Sequence, residues 1–344
     1  MAPPDRDAVS IVLPVRNAAA HVTVALDRLE RQTAGPLEVV VVDDGSTDET
    51  ASLVTAHRSR HEVHLVQVPE SRGVAHARNV GLSRATGTFV WFADVDDDWS
   101  DRLVERLRDA AQSDGSDIAL CRARQVWGDS DGARRLPADP RSGRLVGDDA
   151  LGALLADTGA LWNKLFRREV LANAPFPAMS SKSDRAGIAA IAGRVRSVSV
   201  VDEVLYTYVR HANSISNGGV VEPQNFLRAL TMLEASLAGR TRTPGLADAL
   251  ELYRYDTYAR TLREVWRFHP RLEDPDALVA EVRSRIRLSR ALALARRDPV
   301  SAATCAAARV SPRLARRLIG AVGARLWVPH RRTGQPQGTS GGRT

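Results

Sequence analysis

The sequence predicts an α/β fold, a mixed and mainly parallel sheet flanked by helices, followed by a helical extension. Three observations carry this. Four short apolar runs, SIVLPV (10–15), LEVVVV (37–42), HLVQV (64–68) and TFVWFA (88–93), are rich in β-branched or aromatic residues and have strand length. A helical pattern follows each of them, and strands alternating with helices imply a parallel sheet covered on both faces. Beyond Pro223 nearly everything is Ala-, Arg- and Leu-rich with helical periodicity.

In chain order, Val22, Leu26 and Leu29 recur at helical spacing after the first run, and Ser46 and Glu49 have the spacing of a capping box after the second. After the fourth run Ser100 is placed to cap a helix whose Leu103, Val104 and Leu107 share a face. The first 110 residues therefore read as an α/β nucleotide-binding half. The segment DIALCRARQVW is strand-like, and a polar stretch (128–150) follows it. Helices are predicted around 148–157 and from Asp184 to Ala192, and SVVDEVLYTYVRH reads as a strand pair or a strand and turn. The Gly-rich end RRTGQPQGTSGGRT has the composition of a disordered tail.

Composition narrows the class. With 44% hydrophobic and 26% charged residues, the 344-residue chain is globular. Its two cysteines, Cys121 and Cys305, match no zinc spacing and read as buried free thiols in a reducing compartment. The N-terminus lacks the basic start and apolar core of a signal peptide, and no run approaches 18 apolar residues, so a cytosolic protein is expected. The net charge of +7 is unevenly placed. From Glu281 onward 14 arginines face only Glu281 and Asp298, a net +12, and the rest of the chain sums to −5.

In open α/β sheets ligands bind beyond the carboxyl ends of the strands. Two acidic clusters are expected there: Asp43 and Asp44 after the second run, and Asp94, Asp96, Asp97 and Asp98 after the fourth. Adjacent carboxylates repel one another unless a cation relieves them. Hard cations such as Mn²⁺ or Mg²⁺ are held by one or two carboxylates together with substrate phosphates. A metal-diphosphate site is the chemistry this pattern fits.

Four ordered blocks, SIVLPVRNAAAHVTVALDRLERQT, LEVVVVDDGSTDET, SRGVAHARNVGLSRATGTFVWFADVDDDW and LWNKLFRREVL, resemble the family 2 glycosyltransferases, inverting enzymes of GT-A fold. The resemblance covers about residues 8–215. It implies a nucleotide-sugar-binding half over 1–110 and an acceptor-binding half over 111–219; outside it, the sequence pattern itself reads as a helical region over 220–330 and a tail over 331–344. It implies a nucleoside pocket at Pro14, Val15, Arg16 and Asn17, base or ribose contact by Asp44 or Asp43, and Arg78 with Asn79 near the nucleotide. Asp94 and Asp96 take the family's nucleotide and metal roles, Asp96 as the direct ligand of Mn²⁺ or Mg²⁺, with Asp97 nearby.

The family's base sits in a Glu-Asp pair before a helix. Here Ser183 replaces the glutamate and Asp184 holds the aspartate position, with Glu169 and Asp202 as alternates. By itself Asp184 could equally be an acid favoured by a helix N-terminus. Trp162, Asn163 and Lys164 are expected at the donor-acceptor junction, with Trp162 either stacking on a sugar or lying in the core. Arg210 or His211 is expected to reach the diphosphate. The implied partners are a nucleotide-sugar donor, with UDP foremost, and a glycan, teichoic-acid-like or lipid-linked acceptor.

Three readings of the basic helical tail stay open: apposition to the inner face of an anionic membrane, a packed helix with a solvated basic face, and a homo-oligomer interface. Nucleic acid is not expected, since no recognised module or aromatic interleaving is present. A dehydrogenase fails for want of G-x-G-x-x-G after the first strand. A phosphohydrolase leaves the DDGS block unexplained. A nucleotidyltransferase, or a sugar-nucleotide-binding protein with lost transfer, remains as the alternative.

Overall fold

The apolar runs form parallel strands because their β-branched residues suit a pleat buried on both faces. The computed structural model describes residues 8–127, 132–171, 174–210, 222–241 and 243–317. Strands β1 (Val9–Val15), β2 (Glu38–Asp44), β3 (Glu62–Val68) and β4 (Phe89–Phe92) alternate with helices α1 (Val22–Glu30), α2 (Thr50–Ala56) and α3 (Val74–Arg84). There follow β5 (Asp98–Trp99), α4 (Leu103–Ser113), β6 (Ile118–Trp127), β7 (Ala133–Arg135), β8 (Gly143–Val146), α5 (Gly147–Ala156), β9 (Lys164–Arg167), α6 (Ser183–Ile191) and β10 (Ser197–Arg210). The sheet order is β3-β2-β1-β4-β9-β6-β10-β5, with β7 on β6 and β8 on β10. Strands β1 to β4 are mutually parallel, β9 lies antiparallel between β4 and β6, and β10 runs parallel to β6.

Successive strand residues divide between two apolar layers. Ile11, Leu13, Phe89 and Trp91 pack with α1 and α4, whereas Val12, Val90 and Phe92 face α3, α5 and α6. The C-terminal helices, α7 (Gln224–Ser236), α8 (Pro244–Phe268), α9 (Pro275–Arg285), α10 (Leu288–Ala293) and α11 (Pro299–Val310), contribute Leu233, Leu262, Val282 and Cys305 to that second layer. Helices α8, α9 and α11 begin alike: Thr243, Asp274 and Asp298 each accept a backbone N–H three residues on, and proline occupies the first turn. Among the described residues no helix is long and apolar enough to cross a membrane.

Three local expectations change. Helix α2 starts at Thr50 with no side-chain cap, so Ser46 and Glu49 form no capping box. Instead Asp48 Oδ1 accepts from Thr50 N at 3.1 Å, and Ser46 is drawn toward the β1 loop. Ser100 bonds Arg102 N at 3.3 Å, just outside α4. The segment read as a strand pair or a strand and turn forms, through Arg210, one 14-residue strand, β10, whose irregular register at Val201, Val204 and Tyr206 re-aims it without breaking it. Both cysteines are buried and free, as expected.

Candidate active site

The parallel strands end together. Pro14 pairs with Val42 and Val15 with Asp43 across β1 and β2, while Val12 pairs with Phe92, so the residues after β4 emerge beside Pro14. This edge gathers the acidic loops. Asp94, just beyond β4, accepts from Arg78 Nη2 of α3 at 3.1 Å. Arg78 can lie so close because Gly81, one turn on, lets α3 press onto the sheet. A Cβ there would stand 2.3 Å from Val12 Cγ1 and 3.2 Å from Val42 Cγ2.

Helix α6 brings Asp184, in its first turn, within electrostatic reach of Asp94. Burial pushes the Asp94 carboxyl up and Arg78 opposes this, while the charges of Asp96 and Asp184 push it further. Three carboxylates thus share one field with one buried guanidinium, whose Nε has no hydrogen-bond partner. Among the described residues no three His, Cys, Asp or Glu form a ready-made metal cage. A hard cation bound by one or two carboxylates, with phosphates and water completing its shell, fits this under-compensated negative charge.

The position of α6 is set by packing. Asn79 Nδ2 donates to Phe176 O at 2.7 Å, and Phe176 N donates to Asn79 Oδ1 at 3.2 Å. The Phe176 ring meets Phe92 edge-on at 5.1 Å and covers Gly187 of α6, where a Cβ would lie 2.5 Å from two ring carbons. Behind it, Arg185 bonds Asp256 and Thr257 of α8, and Lys182 pairs with Glu264 at 2.9 Å. The helical extension therefore braces the segment carrying Asp184.

Asp97 points the other way. Its carboxylate accepts from Tyr206 OH at 2.7 Å and from Val209 N at 2.8 Å, so it anchors the acidic loop to β10. Burial, then the Asp94 charge, raises the Asp97 carboxyl well above the usual range, and the two hydrogen bonds pull against this. Asp98 is held by Arg28 Nε at 3.1 Å. Beneath the loop Trp162 stacks on Tyr206 at 4.3 Å, and Trp99 meets Trp91 edge-on at 5.2 Å.

On the β1–β2 side Asn17, in the left-handed region at φ 46°, accepts from Thr47 N at 2.8 Å, and its own N–H donates to Ser46 Oγ at 2.9 Å. Asp44 accepts from Ser71 Oγ, Arg72 N and Gly73 N at 2.7–2.9 Å. Burial alone would raise the Asp44 carboxyl, but these bonds outweigh it and hold it low. Asp43 engages through Oδ1 alone, with Ser46 N at 2.9 Å. Arg16 is exposed at the mouth, and its charge reaches Asp44.

Several expected site residues are spent elsewhere. Val15 packs in the core, leaving only its main chain at the edge. Asn79 is a strut to Phe176, with both amide atoms bonded to that backbone. Trp162 is 7% exposed within the aromatic stack and also lines the cleft behind α6. Asn163 and Lys164 are buried: Lys164 Nζ bonds Asp157, Ala160 O and Asn163 Oδ1, and Asn163 Nδ2 reaches Cys121 O at 3.1 Å. They lock the turn before β9 and present nothing to an acceptor. Arg210 lays its guanidinium over the Trp127 ring at 4.2 Å, and His211 lies outside the described residues. Of the alternate bases, Glu169 is exposed and Asp202 pairs with Arg122 at 2.9 Å.

Tyr206, Asp157 and Arg185 were not foreseen. One signal pointed to Asp157: a lysine inside the apolar run LWNKLF demands a buried counter-charge, and Asp157 is the nearest preceding acid. A cleft of about 1430 Å³ lies behind α6, between α5 and helices α8 and α11. Tyr208, Tyr253, Asp256, Arg260 and Arg263 are among its walls. It contains none of Asp94, Asp96 and Asp184, but its wall residue Asp256 pairs with Arg185 of α6 at 3.3 Å.

A half-parallel sheet ending in acidic loops, faced by a carboxylate on a braced helix, defines the class of GT-A proteins. In particular, residues 10–173 match the model of glycosyl transferase family 2. Escherichia coli (strain K12) YibD, an uncharacterized glycosyltransferase, is 27% identical over 216 residues, 60% of this chain and 63% of its own. The amylovoran biosynthesis glycosyltransferase AmsB of Erwinia amylovora is 37% identical over 102 residues, 28% of this chain and 34% of its own. The chain thus spans less than two thirds of the length of these curated relatives. The fold matches residues 1–349 of S. aureus TarS, crystallised with UDP-GlcNAc, at a TM-score of 0.65 and 20% identity, covering 89% of this chain and 91% of that one.

Proposed function

We propose that the protein transfers a sugar, hexosyl or N-acetylhexosaminyl, from a nucleoside-diphosphate sugar to an acceptor hydroxyl with inversion at the anomeric carbon. The convergence of Asp94 and Asp96, from the loop after β4, with Asp184 of α6 carries this reading. Asp184 takes the proton of the attacking hydroxyl as general base. Asp96, supported by Asp94, holds Mn²⁺ or Mg²⁺, which when bound neutralises charge on the departing diphosphate. Arg78 orients Asp94, while Pro14, Arg16, Asn17, Asp43 and the Val15 main chain form the nucleoside side. Of the two β2 carboxylates, Asp43 is the donor contact, because Asp44 already accepts three bonds from Ser71–Gly73.

TarS was crystallised with UDP and with UDP-GlcNAc, which makes UDP-sugars the first donors to test. The relationship to AmsB favours a cell-surface polysaccharide, teichoic-acid-like polymer or lipid-linked acceptor, and an extended acceptor would lie in the cleft behind α6. A thermal-shift panel of UDP-, GDP- and dTDP-sugars with Mn²⁺ tests the donor side. Stabilisation by at least one sugar nucleotide that needs the metal is expected. Release of pyrophosphate from the donor would identify a nucleotidyltransferase and overturn transfer.

A further inference from the structure

Seven large hydrophobic side chains are conspicuously exposed among the described residues, and five of them fall within 288–314: Leu288, Leu292, Val300, Val310 and Leu314. Leu292 is 61% exposed and Val310 65%. Leu288 and Leu292 are one turn apart on α10, whereas Val310 ends α11 and Leu314 follows beyond the extended Ser311. Leucine and valine so exposed, on helices whose other faces are already packed through Ala291 and Cys305, have no role in the fold. Clustered exposed apolar side chains mark an interaction surface.

The charge around them selects the occupant. Residues 285–317 carry nine arginines and one acid, Asp298, a net +8. Asp298 is engaged as the cap of α11, accepting from Ser301 N at 3.0 Å. Arg285 and Arg297 have anionic partners, Glu281 at 2.7 Å and Asp248 at 3.3 Å. No ion pair is found within the described residues for Arg287, Arg290, Arg309, Arg313, Arg316 or Arg317. A second copy of this chain docking through the same surface would set this positive charge against itself, since a two-fold interface is self-facing. An acidic soluble partner would answer the arginines and leave the leucines and valines unexplained. A bilayer with anionic headgroups answers both, taking the apolar side chains into the acyl boundary and the guanidinium groups among the phosphates.

We infer that helices α10 and α11 form a peripheral docking surface for anionic lipid bilayers. The placement suits the cleft, because Arg297 and Val300 at the start of α11 also line it. A lipid-anchored acceptor held at the bilayer would meet the cleft at that helix.

The test uses the full chain and vesicles, with no donor, acceptor or turnover, so its result is independent of glycosyl transfer. Flotation is compared on vesicles of phosphatidylcholine alone and of phosphatidylcholine mixed with phosphatidylglycerol. Binding is expected only to the mixed vesicles, weakening with salt. Each of Arg309→Gln and Arg313→Gln should lower partitioning about fivefold. The double variant Leu288→Ser, Leu292→Ser should lower it about tenfold, and its circular dichroism and melting should stay unchanged because both side chains are exposed. Equal binding to both vesicle types, no binding to either, or undiminished binding by the variants would overturn the inference. So would a concentration-dependent dimer abolished by the Leu288→Ser, Leu292→Ser change without any vesicle binding, which would give the surface to a second copy.

Discussion

Asp184, in the first turn of α6, lies within electrostatic reach of Asp94 at the end of β4, and together with Asp96 it raises the Asp94 carboxyl after burial has done so. The sign follows directly. A carboxyl raised in the folded state favours its protonated form there, so the metal-free protein loses stability from this group as pH climbs from 3.8, its ordinary value, through the raised one. A divalent cation reverses that loss and must compete with the proton. Stabilisation by Mn²⁺, followed as a melting shift, should therefore grow as pH rises above the ordinary carboxylate value and through the raised one, and shrink in Asp94→Asn. A shift indifferent to pH would contradict this.

Gly187 tests the bracing of α6. An alanine there drives a methyl into the Phe176 ring and should cost about 1–3 kcal/mol, read by urea unfolding. Displacing α6 moves Asp184 while leaving the β1–β4 edge in place. Turnover should fall more than the donor KM rises, and an unchanged kcat would show that α6 does not need this contact.

Lys164 separates core from site. Lys164→Met strands the Asp157 carboxylate in the interior and should cost about 3–5 kcal/mol. The double change Asp157→Leu, Lys164→Met should recover much of that. If Lys164→Met instead left stability intact and weakened only acceptor use, the junction role expected from the sequence would return.

The contrast between these residues shows what a sequence can and cannot display. The strands, and the acids at their ends, were legible because β-branched runs and strand-end carboxylates are local patterns. Asn79, Asn163 and Lys164 stand in equally recognisable blocks, yet their partners are the Phe176 backbone, Cys121 O and Asp157, set by tertiary packing that no local pattern records. The capping-box spacing at Ser46 failed for the same reason, since Asn17 competes for that loop from another strand. Asp97 looked like one more site acid until Tyr206 arrived from β10.

Both thiols should be inert. Burial pushes Cys121 and Cys305 up to about 12, so each stays protonated through the neutral range. A disulfide-exchange reagent at about pH 8 should label neither in the native protein and both after denaturation. Fast native labelling would place one of them at a surface.

Nucleoside diphosphate release from a UDP-sugar with Mn²⁺, measured alongside nucleotide binding for the wild type, Asp96→Asn and Asp184→Asn, tests the shared site most directly. Asp184→Asn should keep metal-dependent nucleotide binding and lose about a thousandfold in turnover. Asp96→Asn should lose both. Full turnover by Asp184→Asn would contradict the account, because the base would then lie elsewhere.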